Sequence, residues 1–168
     1  MEQGKERGVA LAADGTQSAS PINAFGHLAF HGTFRLKLDT TGRVSLPATF
    51  KGAFAATGLV RPHRDQHLML WTPSGFQAVV DSFAASGSSG VIDPRTRKRL
   101  YMSTTEVSVD KQSRFVIPPE LRARVNLGEH IVLAGSIETI EIWSAEAFAA
   151  EQATFDEADL FFDGFEGL

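Results

Sequence analysis

The chain alternates between apolar and polar residues from Thr33 to Asp39 and again, after Thr40-Thr41-Gly42, from Arg43 to Leu46. This period of two is typical of half-buried β-strands, and glycine suits a loop position that needs a positive φ. The pattern therefore predicts two strands joined by a three-residue hairpin loop. Three basic residues fall on the outward face of these strands: Arg35, Lys37 and Arg43.

After Leu46 the apolar spacing changes to that of a helix. Pro47 suits the first turn of a helix, and the apolar stripe Phe50, Ala53 and Phe54 extends it until Gly58. His67 to Trp71 predicts a further strand, and Thr72-Pro73 begins a second helix. The predicted order is strand, turn, strand, helix, strand, helix.

The second part of the chain repeats this order. Setting Asp39 against Asp110 aligns Arg43 with Arg114, Pro47 with Pro118, Lys51 with Arg122 and, after one extra residue, Leu70-Trp71 with Ile142-Trp143, Phe76 with Phe148 and Phe83 with Phe155. The repeated elements are strands Thr104–Asp110 and Arg114–Ile117 around Lys111-Gln112-Ser113, a helix from Pro118-Pro119, strands Ile131–Ala134 and Thr139–Trp143 around a Gly135-Ser136 turn, and a helix capped by Ser144. So ordered a series is hard to obtain by chance and indicates an internal repeat.

Composition divides the remaining chain. Ala84 to Gly90 is a linker by composition, and Asp93-Pro94 predicts the start of a short basic helix. For the basic run in this helix (Arg95, Arg97, Lys98 and Arg99) a solvated face and a DNA or inter-subunit contact both remain open. The expected organisation is a flexible extension (1–29), a first repeat (30–84), a linker with the basic helix (85–102), a second repeat (103–155) and an acidic tail (156–168).

Composition is that of a soluble globular protein, with 43% hydrophobic and 21% charged residues. The absence of cysteine excludes disulfides and thiolate metal sites. No apolar run approaches the ~20 residues that span a bilayer, and the first residues show no secretory signal. The expected location is the cytoplasm, without a membrane partner.

Net charge is −4, which taken alone argues against a nucleic-acid partner. However, residues 31–150 carry fourteen bases and eleven acids, whereas residues 151–168 carry six acids and no base. The body is therefore mildly basic and the acidity lies in the tail. The tail also contains four phenylalanines (Phe155, Phe161, Phe162 and Phe165), which makes docking on a basic surface a hypothesis.

Little in the sequence points to catalysis. The pair His63-x-x-x-His67 lies in a loop-to-strand segment, where the two side chains would not share a helical face, so we interpret it as incidental. The sequence contains no Gly-rich phosphate loop, nucleophile elbow or paired inward carboxylates. We therefore predict no enzyme activity, no cofactor, no metal and no small-molecule substrate. A small hydrolase with an unrecognised site stays as a distant alternative.

The doubled Asp-x-x-x-Arg motif is the strongest candidate site. A single Asp and Arg around a turn could form a weak surface ion pair, but a weak stabilising device need not recur at equivalent positions. In the functional interpretation each Asp orients a guanidinium that reaches a phosphate or a guanine edge. The candidate DNA-binding residues are Asp39, Arg43, Asp110 and Arg114, with Arg35, Lys37 and Lys111 in support.

The two repeats differ in outward charge. In the second repeat the outward strand positions are Thr104, Glu106 and Ser108, and Lys111 only partly replaces the bases of the first repeat. The first repeat is therefore expected to dominate phosphate binding. Solvation of a strand by Arg35 and Lys37 is an equally open interpretation of those two residues.

The motifs resemble those of the MraZ family. Phe30-x-Gly32, Leu38-Asp39-x-x-Gly42-Arg43-Val44-x-Leu46-Pro47 and Phe50-Lys51 are similar to its first motif. Asp110-x-x-x-Arg114 with Ile117-Pro118 and Ile140-Glu141-Ile142-Trp143 are similar to its second motif and closing strand. The resemblance covers roughly residues 30–155. In the second turn Ser113 replaces Gly42, so that turn is expected to be strained or of another type.

The resemblance implies an α+β fold of two pseudo-symmetric AbrB-like swapped-hairpin β-barrel halves with short flanking helices. It also implies a nucleoid-associated, ring-forming repressor of the cell-division and cell-wall gene cluster, including its own promoter. The expected partners are double-stranded DNA with repeated elements and further copies of the chain, whose combined contacts would give avidity. The main alternative is an antitoxin-type module that binds a protein, for which the acidic tail would be essential and the arginines expendable.

Overall fold

A computed structural model describes residues 30–86 and 93–154, with side chains in 83–86 left out. The N-terminal extension, the rest of the linker, and Phe155 with the acidic tail lie outside the described residues. The strands are β1 Thr33–Lys37, β2 Arg43–Ser45, β3 Thr57–Pro62, β4 Leu68–Trp71, β5 Thr105–Ser108, β6 Arg114–Val116, β7 His130–Ser136 and β8 Thr139–Ser144. The helices are α1 Ala48–Lys51, α2 Pro73–Ser86, α3 Pro94–Met102, α4 Pro119–Arg124 and α5 Ala145–Gln152.

The strand order shows the internal repeat as a pseudo-twofold axis. Among the described residues, antiparallel strands form a six-stranded sheet, β1-β7-β8-β4-β3-β5, and a two-stranded ribbon, β2-β6. The repeat makes β1 to β4 equivalent to β5 to β8, in that order. Exchanging equivalent strands gives the same two strand orders, read from the opposite end. The axis passes between β4 and β8 at Met69 and Glu141 and through the paired Val44 and Phe115 of the ribbon.

The two halves exchange strands. β1 pairs with β7, β5 pairs with β3, and the ribbon takes one strand from each half. Each hairpin loop therefore connects a strand of the large sheet to a strand of the ribbon instead of closing a local ladder. This is the swapped arrangement, and the expected α+β fold with two β-rich halves is confirmed.

The ribbon covers the inner face of the large sheet. Its inward residues Val44 and Phe115 are at most 2% exposed, and they share one core cluster with Leu70 and Ile142 of the central strands. Burial of such side chains stabilises a fold by about 1.5–3 kcal/mol each. Because both halves supply this core, neither encloses it alone.

The helix starts follow the sequence signals. Asp93 caps α3 by accepting a hydrogen bond from the Thr96 backbone N–H at 3.2 Å. Ser144 caps α5 as predicted, accepting from the Ala147 N–H at 3.1 Å. Such caps satisfy backbone donors that a helix start leaves free.

The predicted end of α1 is wrong. The helix ends at Lys51, and Gly58 lies within β3, a strand that the first-half pattern did not predict. Glycine and proline within residues 57–62 conceal this strand, since both are depleted in strands. A Cβ on Gly58 would lie 2.7 Å from Leu70 Cδ1, so glycine allows β3 to pack closely.

Two further boundaries differ from expectation. β7 continues through Gly135 and Ser136, and the turn is formed by Ile137 and Glu138 instead. Gly135 is needed for close approach, because a Cβ there would collide with the backbone of Phe30 and His31. α2 continues to Ser86, so the first three residues of the predicted linker are helical.

Candidate functional site

The first Asp-x-x-x-Arg motif forms a tight turn between β1 and β2. The Asp39 N–H donates to the Arg43 carbonyl at 3.0 Å, and the Gly42 N–H donates to the Asp39 carbonyl at 2.9 Å. Asp39 Oδ1 accepts from the backbone N–H groups of Thr41 at 2.8 Å and Arg43 at 2.9 Å. Gly42 has a φ of +83°, as the predicted loop requires.

The second motif builds the same turn. The Asp110 N–H donates to the Arg114 carbonyl, and the Ser113 N–H donates to the Asp110 carbonyl, each at 2.8 Å. Asp110 Oδ1 accepts from the N–H groups of Gln112 and Arg114, each at 2.9 Å. Ser113 takes a φ of +58°, so of the two expected outcomes the strained turn is the one found, and the residue carries the cost of the left-handed conformation.

The second carboxylate oxygen distinguishes the two motifs. Asp110 Oδ2 binds Arg114 through Nη2 at 2.8 Å and Nε at 2.9 Å, a side-on pair that fixes the guanidinium. Asp39 Oδ2 lies 3.7 Å from Arg43 Nη1, too far for a hydrogen bond. Arg114 is therefore oriented by its aspartate, whereas Arg43 is only attracted by its own.

The carboxyl groups respond to these donors. The pKa of Asp39 is lowered, first by the hydrogen bond from the Thr41 hydroxyl, which lies 2.6 Å from Oδ1, and next by the Arg43 backbone. The pKa of Asp110 is lowered first by the hydrogen bond from the Arg114 side chain. Both groups are therefore held as carboxylates, the form that can accept these bonds.

The two arginines lie on one surface. In β2-β6 the outward residues are Arg43 opposite Val116 and Ser45 opposite Arg114, and we call these four residues the ribbon face. Arg43 and Arg114 occupy diagonal positions, for which Cα atoms are about 7–8 Å apart. Their side chains remain 42% and 37% exposed, so both guanidinium groups can reach a ligand in solvent.

The other predicted residues are more dispersed. Lys111 is exposed in the second turn, next to Asp110. Arg35 and Lys37 are exposed on β1, the edge strand of the large sheet, and do not belong to the ribbon. Lys37 Nζ lies 3.0 Å from Glu129 Oε1, so its charge is partly compensated.

Three residues near the site escaped sequence reasoning. Arg122 of α4 packs over the first turn, where a Cβ on Gly42 would lie 2.8 Å from its Cζ and Nε. Thr41 donates to Asp39, a role that Asp-Thr-Thr-Gly signals as a typical turn sequence. Val116 is 39% exposed beside Arg43, as alternation along Arg114–Val116 indicates.

The histidine pair forms a ring stack. The His63 and His67 ring centroids are 4.5 Å apart, and His67 also stacks on Trp143 at 4.1 Å. Burial lowers the pKa of His67, which favours the neutral imidazole. Across residues 30–86 and 93–154, no group of three or more His, Cys, Asp or Glu side chains is placed to hold a metal ion.

No helix in the described part of the chain is both long and apolar enough to cross a bilayer.

Comparison with known proteins gives matches along most of the chain. The family model described as "MraZ protein, putative antitoxin-like" matches twice, over residues 29–98 and 100–163. The transcriptional regulator MraZ of Mycolicibacterium gilvum is 34% identical over 131 residues, which cover 76% of this chain and 90% of that protein. The corresponding regulator of Thermomicrobium roseum is 31% identical over 122 residues, which cover 73% of this chain and 86% of that protein. The regulator of Corynebacterium kroppenstedtii is 33% identical over 132 residues, which cover 77% of this chain and 90% of that protein. The double family match agrees with the internal repeat.

Proposed function

This chain belongs to the MraZ family, and from that membership and the paired hairpins we propose that it regulates transcription by binding DNA through the ribbon face. The similar proteins are named transcriptional regulators and not enzymes, which supports a role in binding without catalysis. The proposed contacts are Arg43 and Arg114, each positioned by its turn.

The observation that carries the proposal is the placement of two solvent-accessible arginines on one side of the two-stranded ribbon. Arg114 uses Nε and Nη2 on Asp110, which leaves three of its five N–H groups for a ligand. A guanidinium held in this way can donate to a phosphate or to O6 and N7 of guanine. Arg43 is less constrained, which suits a contact that adapts to the backbone.

The rest of the surface supports electrostatic attraction, mainly in the first half. Arg35 and Lys37 add two exposed bases on β1, and Lys111 adds one in the second turn. These residues are proposed to contact phosphates, since cations that neutralise phosphates contribute affinity without reading sequence. Asp39 and Asp110 act as positioning residues for the turns, and Asp110 also positions its arginine.

The proposal extends to oligomeric binding. Two arginines provide a small contact for one chain, so we propose a ring-like homo-oligomer that binds repeated promoter elements at the nucleoid. Several weak contacts on linked repeats would raise the overall affinity through effective concentration. We further propose repression of the division and cell-wall gene cluster, including the gene's own promoter, as the regulated process.

The test is binding of purified full-length protein to a labelled duplex from its own upstream region, measured across a salt series. Arg43→Ala and Arg114→Ala are compared with Arg124→Ala, which removes an exposed cation from α4 instead of the ribbon face. We expect affinity to fall steeply with salt in the wild type and to collapse in both ribbon variants, with little change in the control. Circular dichroism confirms that the variants are folded.

Unchanged binding in both ribbon variants would show that the motif serves only to close the hairpins. Equal loss in all three variants would indicate attraction to cations in general and not a defined ribbon contact.

A second candidate is an antitoxin-type module, favoured by the antitoxin-like description of the matching family. It predicts a protein partner whose binding survives Arg43→Ala and Arg114→Ala and is lost when residues 156–168 are removed. Absence of DNA binding at low salt, in the full chain and in that truncated form, would favour it.

A further inference from the structure

Almost all of the basic helix α3 is exposed to solvent. Leu100 is buried against Trp71, Phe76 and Val80, and it is the one buried residue among Pro94–Met102, all of which the structure describes. At 3.6 residues per turn, the side opposite Leu100 carries residues spaced i, i+3, i+4 and i+7. We call these residues the α3 stripe: Arg95, Lys98, Arg99 and Met102.

The α3 stripe combines three positive charges with an apolar C-terminal end. Met102 is 76% exposed, and the neighbouring Tyr101 is 50% exposed. Within residues 30–86 and 93–154, no ion pair involves Arg95, Lys98 or Arg99. A ligand that fits this surface must offer carboxylates or phosphates together with apolar groups. A DNA backbone supplies the charge but leaves Met102 without an apolar partner.

The chain itself contains a segment with this composition. Residues 155–168 hold five acids, no base and the apolar residues Phe155, Leu160, Phe161, Phe162, Phe165 and Leu168. We propose that this C-terminal segment docks on the α3 stripe of the same molecule, with its carboxylates against the three cations and its phenylalanines on Met102 and Tyr101. The docking rests on charge, exposure and reach, and it does not depend on the proposed DNA binding.

The geometry permits this contact. α5, which ends just before the segment, packs through Phe148 on Trp143, and α3 packs through Leu100 on Trp71. In the register of β4 and β8, both tryptophans lie on the outer face of the large sheet. Trp71 lies one strand spacing from β8, about 5 Å, and four residues along the ladder from Trp143, about 13 Å, so the two contacts are about 14 Å apart. Fourteen residues (155–168) reach about 45 Å when extended, so the segment easily spans this distance.

The sequence permits a direct test in the full chain. It contains three methionines and no cysteine, so methionine-methyl labelling gives few signals and a spin label can be attached at Gly164→Cys alone. We expect the label to cause loss of the Met102 methyl signal, which Met102→Leu identifies. Arg95→Glu, Lys98→Glu and Arg99→Glu together should restore it. Lys51→Glu, Arg64→Glu and Arg124→Glu, three exposed cations elsewhere, make the same charge change and should leave the loss intact.

Four results would overturn the proposal. A Met102 signal of full intensity in the labelled protein would show that the segment does not reach the stripe. Loss that persists in the α3 triple variant would assign the contact to another surface. Loss that occurs only between isotope-labelled and spin-labelled copies in a mixed sample would place the segment on a second chain. A signal that keeps its intensity and shifts only when duplex DNA is added would assign the stripe to DNA, which also overturns it.

Discussion

The two hairpin turns share one backbone and hold their arginines differently. In both, Asp Oδ1 accepts two backbone N–H groups and fixes the loop. In the second turn Asp110 Oδ2 also binds Arg114 Nη2 at 2.8 Å, whereas Arg43 Nη1 lies 3.7 Å from Asp39 Oδ2. In the first turn the Thr41 hydroxyl donates a further hydrogen bond to Asp39 Oδ1. The repeated function of the aspartate is therefore to shape the turn, and orientation of the arginine is an addition that only the second half shows.

The largest expected difference between the halves is in stability, at the Val44–Phe115 pair, where the two halves meet on the pseudo-twofold axis. Phe115→Ala should reduce the free energy of unfolding by about 3–5 kcal/mol, because a phenyl ring is lost from a filled core. Val44→Ala removes two buried methyl groups and should cost about 2 kcal/mol. Denaturant unfolding measures both. Equal losses would show that the ribbon core is more symmetric in energy than in composition.

The next difference concerns the loop positions Gly42 and Ser113. Gly42→Ala should destabilise by about 1–2 kcal/mol, because φ is positive and the new Cβ meets Arg122. Ser113→Gly relieves the same backbone strain but increases the freedom of the unfolded chain, so its net effect should be small, within about 0.5 kcal/mol. Thermal or denaturant unfolding checks both variants. A stability loss of equal size in both would mean that the Ser113 side chain stabilises its turn.

These loops show what the sequence could and could not establish. Alternation and the ordered repeat predicted both hairpin loops and the outward Arg43, since these depend on local periodicity. The buried Val44 and Phe115 follow the same alternation. β3 escaped because Gly58 and Pro62 obscure its strand pattern, and only packing against Leu70 explains the glycine. The exchange of strands between halves was implied by family resemblance and not by periodicity. The distances that distinguish Arg43 from Arg114 depend on side-chain geometry that no spacing encodes.

A further asymmetry is chemical and depends on pH. His67 immediately precedes β4, whereas the equivalent position in the second half carries Thr139, the first residue of β8. Burial lowers the pKa of His67 in the folded state, so below about pH 6.5 the unfolded chain binds more protons than the folded one. Protonation of His67 therefore costs no stability above the pKa of the unfolded state, about 6.5, and the free energy of unfolding decreases as the pH falls through that value. The slope is at most about 1.4 kcal/mol per pH unit for one proton.

Unfolding free energies at several pH values between 7.5 and 5 should show this slope in the wild type and a reduced slope in His67→Thr. Slopes are compared and not absolute stabilities, because the substitution also removes the ring stack with Trp143. His130→Thr changes a side chain that is 72% exposed and serves as the control. A slope unchanged in His67→Thr would assign the pH dependence to other groups.

The smallest expected effect concerns outward charge on the edge strands, where Arg35 of β1 corresponds to Glu106 of β5. If the first half supplies more phosphate contacts, Arg35→Ala should reduce the salt dependence of DNA binding, lowering the slope by about 1. Glu106→Arg should raise it by a similar amount only if β5 also faces the duplex. A binding isotherm series in salt measures both slopes. No change in either variant would confine DNA binding to the ribbon face, and the asymmetry between edge strands would then have no bearing on recognition. A change only in Glu106→Arg would reverse the expected ranking of the halves and assign the closer phosphate approach to the second repeat.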